Sequence, residues 1–290
     1  MGGMLLRDIF NRAQQEGWAV PHLNISDIVM LRAVVLAAEE VGAPLMVGAS
    51  EGERKFIGDE VLVAAVAALK AKSSVPLFLN ADHTKSVESA TAAVDAGFDS
   101  VHIDCSTKPF DENVADTKAV VSYAHGKNPD LSVEGEIGYL VTSGSTVYKE
   151  SFVIPPESLT TPEQATAFYE ATQVDRLAPA VGTLHGIAAN KPHLDRQRVA
   201  DLRKALPSVP FVLHGGSGSS EDDIRAVVAA GMTNVHFSTD LRVAYTKALR
   251  VTLAEQPDEV VPYKLLGPVL TVVKQTAIDR ITLCGVAKRV

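Results

Sequence analysis

The sequence predicts a (β/α)8 barrel, an α/β fold forming a single domain over 1–290 with a C-terminal helical extension. Three observations carry this. Eight short apolar, β-branched runs recur along the chain, separated by segments of helical periodicity. The length of 290 residues suits one large barrel, and a hydrophobic content of 46% supplies its core. Three of the runs lead to a histidine, His83, His185 and His214, each followed by loop-like sequence. Parallel strands closed into a barrel bring three such residues to one mouth. A doubly wound sheet, the alternative, usually uses fewer strands.

The strands are expected near 19–24, 44–49, 75–81, 100–104, 132–136, 177–181, 211–213 and 235–237. Between the first two, 27–41 places apolar residues at helical spacing. The segments 58–72 and 87–96 are rich in Ala and Val with charges on one face, and 111–125 follows the fourth strand. Thr161-Pro162-Glu163-Gln164 reads as a helix start, with Thr as cap, Pro at the first position and Gln reaching back. Ser220 opens another helix that ends near Gly231, and Ser238-Thr239 again precedes a helix. The tail beyond Asp258 is expected to be helical and then to end in an apolar segment, 281–286. The loop 139–159, with Ser143, Gly144, Ser145 and two prolines, is long for a compact domain and lies on the active-site side.

Composition excludes several functions. A formal net charge of -8 argues against general nucleic-acid binding, which draws on basic surface. Phosphorylated small molecules remain compatible, because backbone N–H groups bind phosphate without net positive charge. The two cysteines, Cys105 and Cys284, form no paired spacing, so neither a disulfide framework nor a structural zinc site is expected. The first residues lack the apolar core of a signal peptide, Met4 offers a second start, and no apolar run approaches a membrane span. A cytoplasmic protein is expected, with no membrane or nucleic-acid partner.

Three neutral imidazoles are a suitable set for a catalytic zinc ion with an open coordination position, and His83, His185 and His214 are the candidates. Asp82 lies beside His83 and is the candidate general acid/base, although a helix N-cap is its plainer reading. Gly215-Gly216-Ser217-Gly218 and Ser238-Thr239 follow the seventh and eighth strands, where barrels often bind phosphate. Glu134 and Glu136 alternate on one strand and share a face. With Asp104 they are second-tier candidates for another metal position or for orienting ligands. Asn24 and Ser50, at the ends of the first two strands, are placed to hydrogen-bond substrate. His22, His102 and His236 lie within strands, where packing is at least as good an explanation. Arg54-Lys55 reads as a solvated helix face.

Taken together, Ser50-Glu51-Gly52, Asp82-His83, Ile103-Asp104, Glu134-Gly135-Glu136-Ile137-Gly138, Gly182-Thr183-Leu184-His185-Gly186 and Leu213-His214-Gly215-Gly216-Ser217 resemble the class II, zinc-dependent fructose- and tagatose-bisphosphate aldolases. The resemblance runs from Pro21 to Gly285. It implies reversible cleavage of fructose 1,6-bisphosphate or a related ketose phosphate to dihydroxyacetone phosphate and an aldehyde. It further implies that His83, His185 and His214 bind Zn2+, and that Asp82 handles the aldehyde-derived oxygen. Gly186, Gly215, Ser217, Ser238 and Thr239 would hold the dihydroxyacetone phosphate end, aided by a monovalent cation such as Na+ or K+. Glu136 would lie near a second zinc position, and a homodimer or homotetramer is implied.

Departures mark a divergent member. His236 stands where many members carry Asn near the reacting centre, and Asn80 stands where some carry His. Cys105 and Thr107 replace the usual Gly and His, and the 139–159 loop lacks the Gly-Gly-acidic pattern, leaving Glu150 as a stand-in acid/base. Three competing readings are a tagatose-bisphosphate aldolase, a Schiff-base aldolase using Lys85 or Lys191, and a catalytically silent sugar-phosphate-binding barrel.

Overall fold

The computed structural model describes residues 4–138, 140, 142 and 144–287. Tyr139 and Ser143 of the long loop, with residues 1–3, lie outside the described residues. Eight parallel strands close in chain order: β1 (Val20–Asn24), β2 (Leu45–Ser50), β3 (Leu77–Thr84), β4 (Ser100–Ile103), β5 (Ser132–Ile137), β6 (Arg176–Pro179), β7 (Phe211–Leu213) and β8 (Met232–Phe237). Closure is made by β1 on β8, with His22 opposite His236.

The helices are α1 (Leu6–Glu16), α2 (Ile28–Val41), α3 (Glu51–Ile57), α4 (Asp59–Lys70), α5 (Val87–Ala96), α6 (Phe110–Lys127), α7 (Pro162–Thr172), α8 (Arg196–Ala205), α9 (Glu221–Ala229), α10 (Thr239–Glu255) and α11 (Pro262–Leu283). Their starts follow local chemistry. Asp27 caps α2 by accepting from the Met30 amide at 2.7 Å. Thr161 and Gln164 form the expected reciprocal capping box on α7, and Ser220 caps α9. On α1, Leu6, Ile9, Phe10 and Ala13 make one buried stripe. The Phe10 ring lies 5.5 Å from the guanidinium of Arg176, at the start of β6, so α1 lies against the N-terminal end of the barrel. The C-terminal α11 packs on α2 and α10.

Several boundaries differ from the sequence reading. β3 runs on to Thr84, and its pairing with β4 shifts register between Ala81 and Thr84. Within that irregularity His83 has φ of 48°, a left-handed conformation that costs energy for a residue with a Cβ. β6 stops at Pro179, so His185 lies six residues beyond it, on a loop. The apolar 281–286 segment is largely the end of α11 and the turn after it. α8 escaped the pattern because only Val199 and Leu202 are buried on it, too few to set a period. Arg54 is buried rather than solvated, paired with Asp59 at 2.6 Å.

The barrel interior is tightly filled around β1 and β2. A Cβ built on Gly48 would lie 2.1 Å from Cε1 of His22 and 2.8 Å from Oδ1 of Asn24. Gly48→Ala is therefore expected to destabilise the protein by about 1–3 kcal/mol. Denaturant midpoints of the two proteins check this; an unchanged midpoint would mean the interior yields without cost.

Candidate active site

The C-terminal mouth of the barrel holds a cavity of about 260 Å3. Asp82, His83, His185, His214 and His236 line it, together with Asn24 and Ser50 from β1 and β2. Gly186, Gly215, Ser217, Ser238 and Thr239 line it as well. Asp104 and Glu136 are buried and reach the cavity through His83, whose Nδ1 lies 2.7 Å from Asp104 Oδ2 and 3.7 Å from Glu136 Oε2. Lys85, a Schiff-base candidate from the sequence, lines the cavity too, as do Glu51, Gly52, Ser145 and Arg242, to which the sequence assigns no contact. Arg242 follows Thr239 by one turn of α10, so the helical period signals it.

Four rings define the centre. The centroid of His83 lies 4.5 Å from that of His214, 4.6 Å from His102 and 4.7 Å from His185. His185 and His214 are 6.0 Å apart. Among the described residues, donor atoms of Asp82, His83, His102 and His214 fall within 4.8 Å of one another, as do those of His83, His102, Asp104 and Glu136. His185 is in neither tight group. His102 is thus more central than a packing residue would be. Its signal was the alternation on β4: His102 and Asp104 share a face, and His102 pairs across to Glu134.

The hydrogen bonds around each ring leave one nitrogen free. His83 Nδ1 donates to Asp104, which leaves Nε2 bare. His185 Nδ1 donates to the Thr142 carbonyl at 3.2 Å, and the Thr142 hydroxyl donates back to the His185 carbonyl at 2.7 Å. His185 Nε2 is buried without a hydrogen-bond partner, and burial pushes this imidazole down to about 3, so the ring is neutral. His214 Nε2 lies 2.8 Å from Glu134 Oε1, which leaves Nδ1 bare.

The carboxylates are held ionised. Burial opposes the charge on Asp82, but His83, with the His236 and His102 rings 3.4 and 3.7 Å from its Oδ1, outweighs it and holds the carboxyl well below its usual range. Burial likewise opposes Glu134, and His102 and Arg176 hold it low. Asn24 Nδ2 donates to Asp82 Oδ2 at 2.9 Å, while Asp82 Oδ1 has no partner. Asp82, Asp104, Glu134 and Glu136 are four buried carboxylates facing two fixed cations, Arg176 and Lys85. These carboxylates also raise the His83 and His102 imidazoles, and the positive charge those rings take up is one that a divalent metal ion held by the histidines would supply instead. Ring nitrogens fixed by carboxylate or carbonyl acceptors are also the usual outer support of metal-binding histidines.

Lys85 is not arranged as a nucleophile. Burial lowers its amine, but the ion pair with Asp104 outweighs this and raises it, which keeps it protonated.

The side of the cavity lined by Gly215, Ser217, Ser238 and Thr239 is built from two loops tied together. Ser217 Oγ accepts from the amides of Ser238 and Asp240, each at 3.2 Å, joining the turn after β7 to the first turn of α10. Ser238 Oγ is buried without a partner. Gly215 has φ of 73°, and a Cβ there would meet the Leu184 carbonyl at 2.2 Å, so only glycine lets the β6 and β7 loops close on each other. Facing it, the 144–150 segment is stitched to the His185 loop by the Ile187 amide to the Thr146 carbonyl and the Tyr148 amide to the Ile187 carbonyl, both 2.8 Å.

Comparison with known proteins gives a consistent result. The family described as "Fructose-bisphosphate aldolase class-II" matches residues 4–289. The "Probable fructose-bisphosphate aldolase" of Bacillus subtilis (strain 168) is 36% identical over 283 residues, covering 97% of this chain and 96% of that protein. The fructose-bisphosphate aldolase of Geobacillus stearothermophilus is 34% identical with the same coverage. Among solved structures, the YdjI aldolase from Escherichia coli K12 superposes with a TM-score of 0.83 at 30% identity, covering 97% of each chain.

Proposed function

This chain belongs to the class II fructose-bisphosphate aldolase family and is an enzyme of the aldehyde-lyase type, and we propose that it cleaves a ketose phosphate, fructose 1,6-bisphosphate first, to dihydroxyacetone phosphate and an aldehyde with the help of zinc. The single observation that supports this most is the set of three imidazoles, His83, His185 and His214, each with one ring nitrogen committed to a fixed acceptor, around an ionised Asp82.

Those three histidines would hold the metal ion, which when bound supplies a Lewis acid for the substrate carbonyl. Asp82 takes the proton of the hydroxyl on C4 as the C3–C4 bond breaks. C4 becomes the aldehyde carbon, the bonding electron pair passes to the three-carbon fragment, and that fragment takes up one proton at C3 to become dihydroxyacetone phosphate. Asn24 orients the Asp82 carboxylate through Oδ2 and leaves Oδ1 to meet the substrate. Gly186, Gly215, Ser217, Ser238 and Thr239 hold the phosphate of that fragment, using the N-terminus of α10 as an anion site. A monovalent cation beside that phosphate, a homodimer or homotetramer, and a cytoplasmic location belong to the same proposal. No described helix is long and apolar enough to cross a membrane.

The test is turnover of fructose 1,6-bisphosphate and tagatose 1,6-bisphosphate, following triose phosphate release. Activity is expected to vanish with a chelator and to return with added Zn2+. Cleavage that ignores the chelator would overturn the metal-dependent reading, and the preferred sugar fixes the substrate.

A further inference from the structure

The floor of the barrel beneath the proposed metal site is polar, and one residue connects it. Arg176 is fully buried at the start of β6. Its Nη1 lies 2.9 Å from both Glu134 Oε2 and Asn234 Oδ1. Its Nη2 donates to the Ser100 hydroxyl and lies 3.4 Å from Asn80 Oδ1. Three of these four acceptors each touch a different histidine: Glu134 meets His214, Asn234 meets His236, and Asn80 meets His22.

We propose that Arg176 is a positioning residue that fixes which ring nitrogen carries the hydrogen on His22, His214 and His236. A guanidinium only donates, so it compels an oxygen to face it. Asn234 must turn Oδ1 toward Arg176, and its Nδ2 donates to the Val20 carbonyl at 2.8 Å. The His236 Nε2 that meets this same Oδ1 at 3.1 Å is therefore N–H, and Nδ1 is bare. Asn80 must turn Oδ1 toward Arg176 and the Ser100 hydroxyl, which donates to it at 2.7 Å. Its Nδ2 then donates to His22 Nε2 at 3.0 Å, so His22 carries its hydrogen on Nδ1. Glu134, neutralised by Arg176, accepts from His214 Nε2.

Arg176 thus gives two stacked rings, His22 and His236 at 3.5 Å and 9°, opposite tautomers. The consequence reaches the cavity. His236 Nδ1 and Asp82 Oδ1 lie 3.4 Å apart, both buried, both acceptors and neither with a hydrogen-bond partner. A substrate hydroxyl hydrogen is the group that suits both. The tautomers stand on the hydrogen bonds alone; their effect on catalysis rests on the proposed aldol cleavage.

The test uses zinc-loaded protein labelled with 15N in histidine, whose two-bond proton–nitrogen correlations distinguish the ring tautomers. Nε2–H is expected for His214 and His236, and Nδ1–H for His22. Asn80→Asp keeps the oxygen facing Arg176 and replaces the donor facing His22 by an acceptor. His22 should then carry hydrogen on Nε2, with His214 and His236 unchanged. Arg176→Lys keeps the charge but loses the fork. His22 and His236 should lose their single tautomers, and kcat for cleavage of fructose 1,6-bisphosphate should fall by about 10- to 100-fold with little change in KM. A folded Arg176→Lys protein with wild-type ring patterns would overturn the proposal. So would Asn80→Asp leaving His22 Nε2 bare, which decides the matter even if Arg176→Lys does not fold. If wild type shows the expected rings but exchanges no proton of dihydroxyacetone phosphate, the aldolase reading fails and the tautomer assignment stands.

Discussion

Asp82→Asn is expected to lower kcat for ketose phosphate cleavage by about 1,000-fold, the scale of a positioned general base. The substitution keeps the size of the side chain and its place beside Asn24. KM and bound zinc should change little, because the proposed metal ligands are His83, His185 and His214. The sharper measurement separates the two halves of the reaction. Asp82 is assigned to the C4 oxygen, so exchange of the C3 proton of dihydroxyacetone phosphate, which involves no aldehyde, should survive in the variant. Parallel initial-rate and exchange measurements check this. Cleavage within threefold of wild type would remove Asp82 from the mechanism, and loss of both reactions together would mean it does more than serve the aldehyde side.

His214→Ala should lose zinc and activity together. Removing a coordinating group costs more than removing an outer partner, whose loss is worth about 10- to 100-fold in metal affinity or activity. Metal content after dialysis against a weak chelator is expected to fall below a tenth of an equivalent, and cleavage to fall by at least about 1,000-fold. The fold should survive, because Glu134 keeps its ion pair with Arg176 when the imidazole is gone. His185→Ala should behave alike, since burial already keeps that ring neutral and its Nε2 free of other partners. Stoichiometric zinc with full activity in either variant would sink the three-histidine site. The His83, His102, Asp104 and Glu136 cluster would then be the place to seek the metal.

Much of this site was legible in the chain because barrel strands end where function begins. His214 directly follows β7, Asp82 and His83 lie at the end of β3, and Ser238 follows β8, so each could be placed by counting strands. His185 was found for a less secure reason. It was assigned to the end of a strand, whereas the structure puts it on a loop held by Thr142. The Gly-Thr-Leu-His-Gly pattern located it even though the strand boundary was misplaced. His22, His102 and Arg176 were not legible as parts of the site. Each lies inside a strand, where a polar residue reads equally well as packing or as an ion pair, and only strand register decides which neighbours it meets. Arg54 was misread for a related reason: a charged pair on a short helix looks solvated until α3 is seen to bury one member against Asp59.

By itself the sequence determined the eight strands, most of the helices and the end of the barrel at which the cavity opens. Periodicity sets strand and helix, and parallel closure sends every strand's C-terminus to one face. What the tertiary structure decided is the hydrogen-bond wiring beneath that face. His22, Asn80, Arg176, Asn234 and Glu134 come from five strands separated by up to 214 residues in hydrogen-bonded pairs such as Asn234 with Val20. Local propensity acts over a few residues and carries no information about such pairs. The closed register of the barrel, β1 against β8 above all, is what brings them within hydrogen-bonding reach of one another.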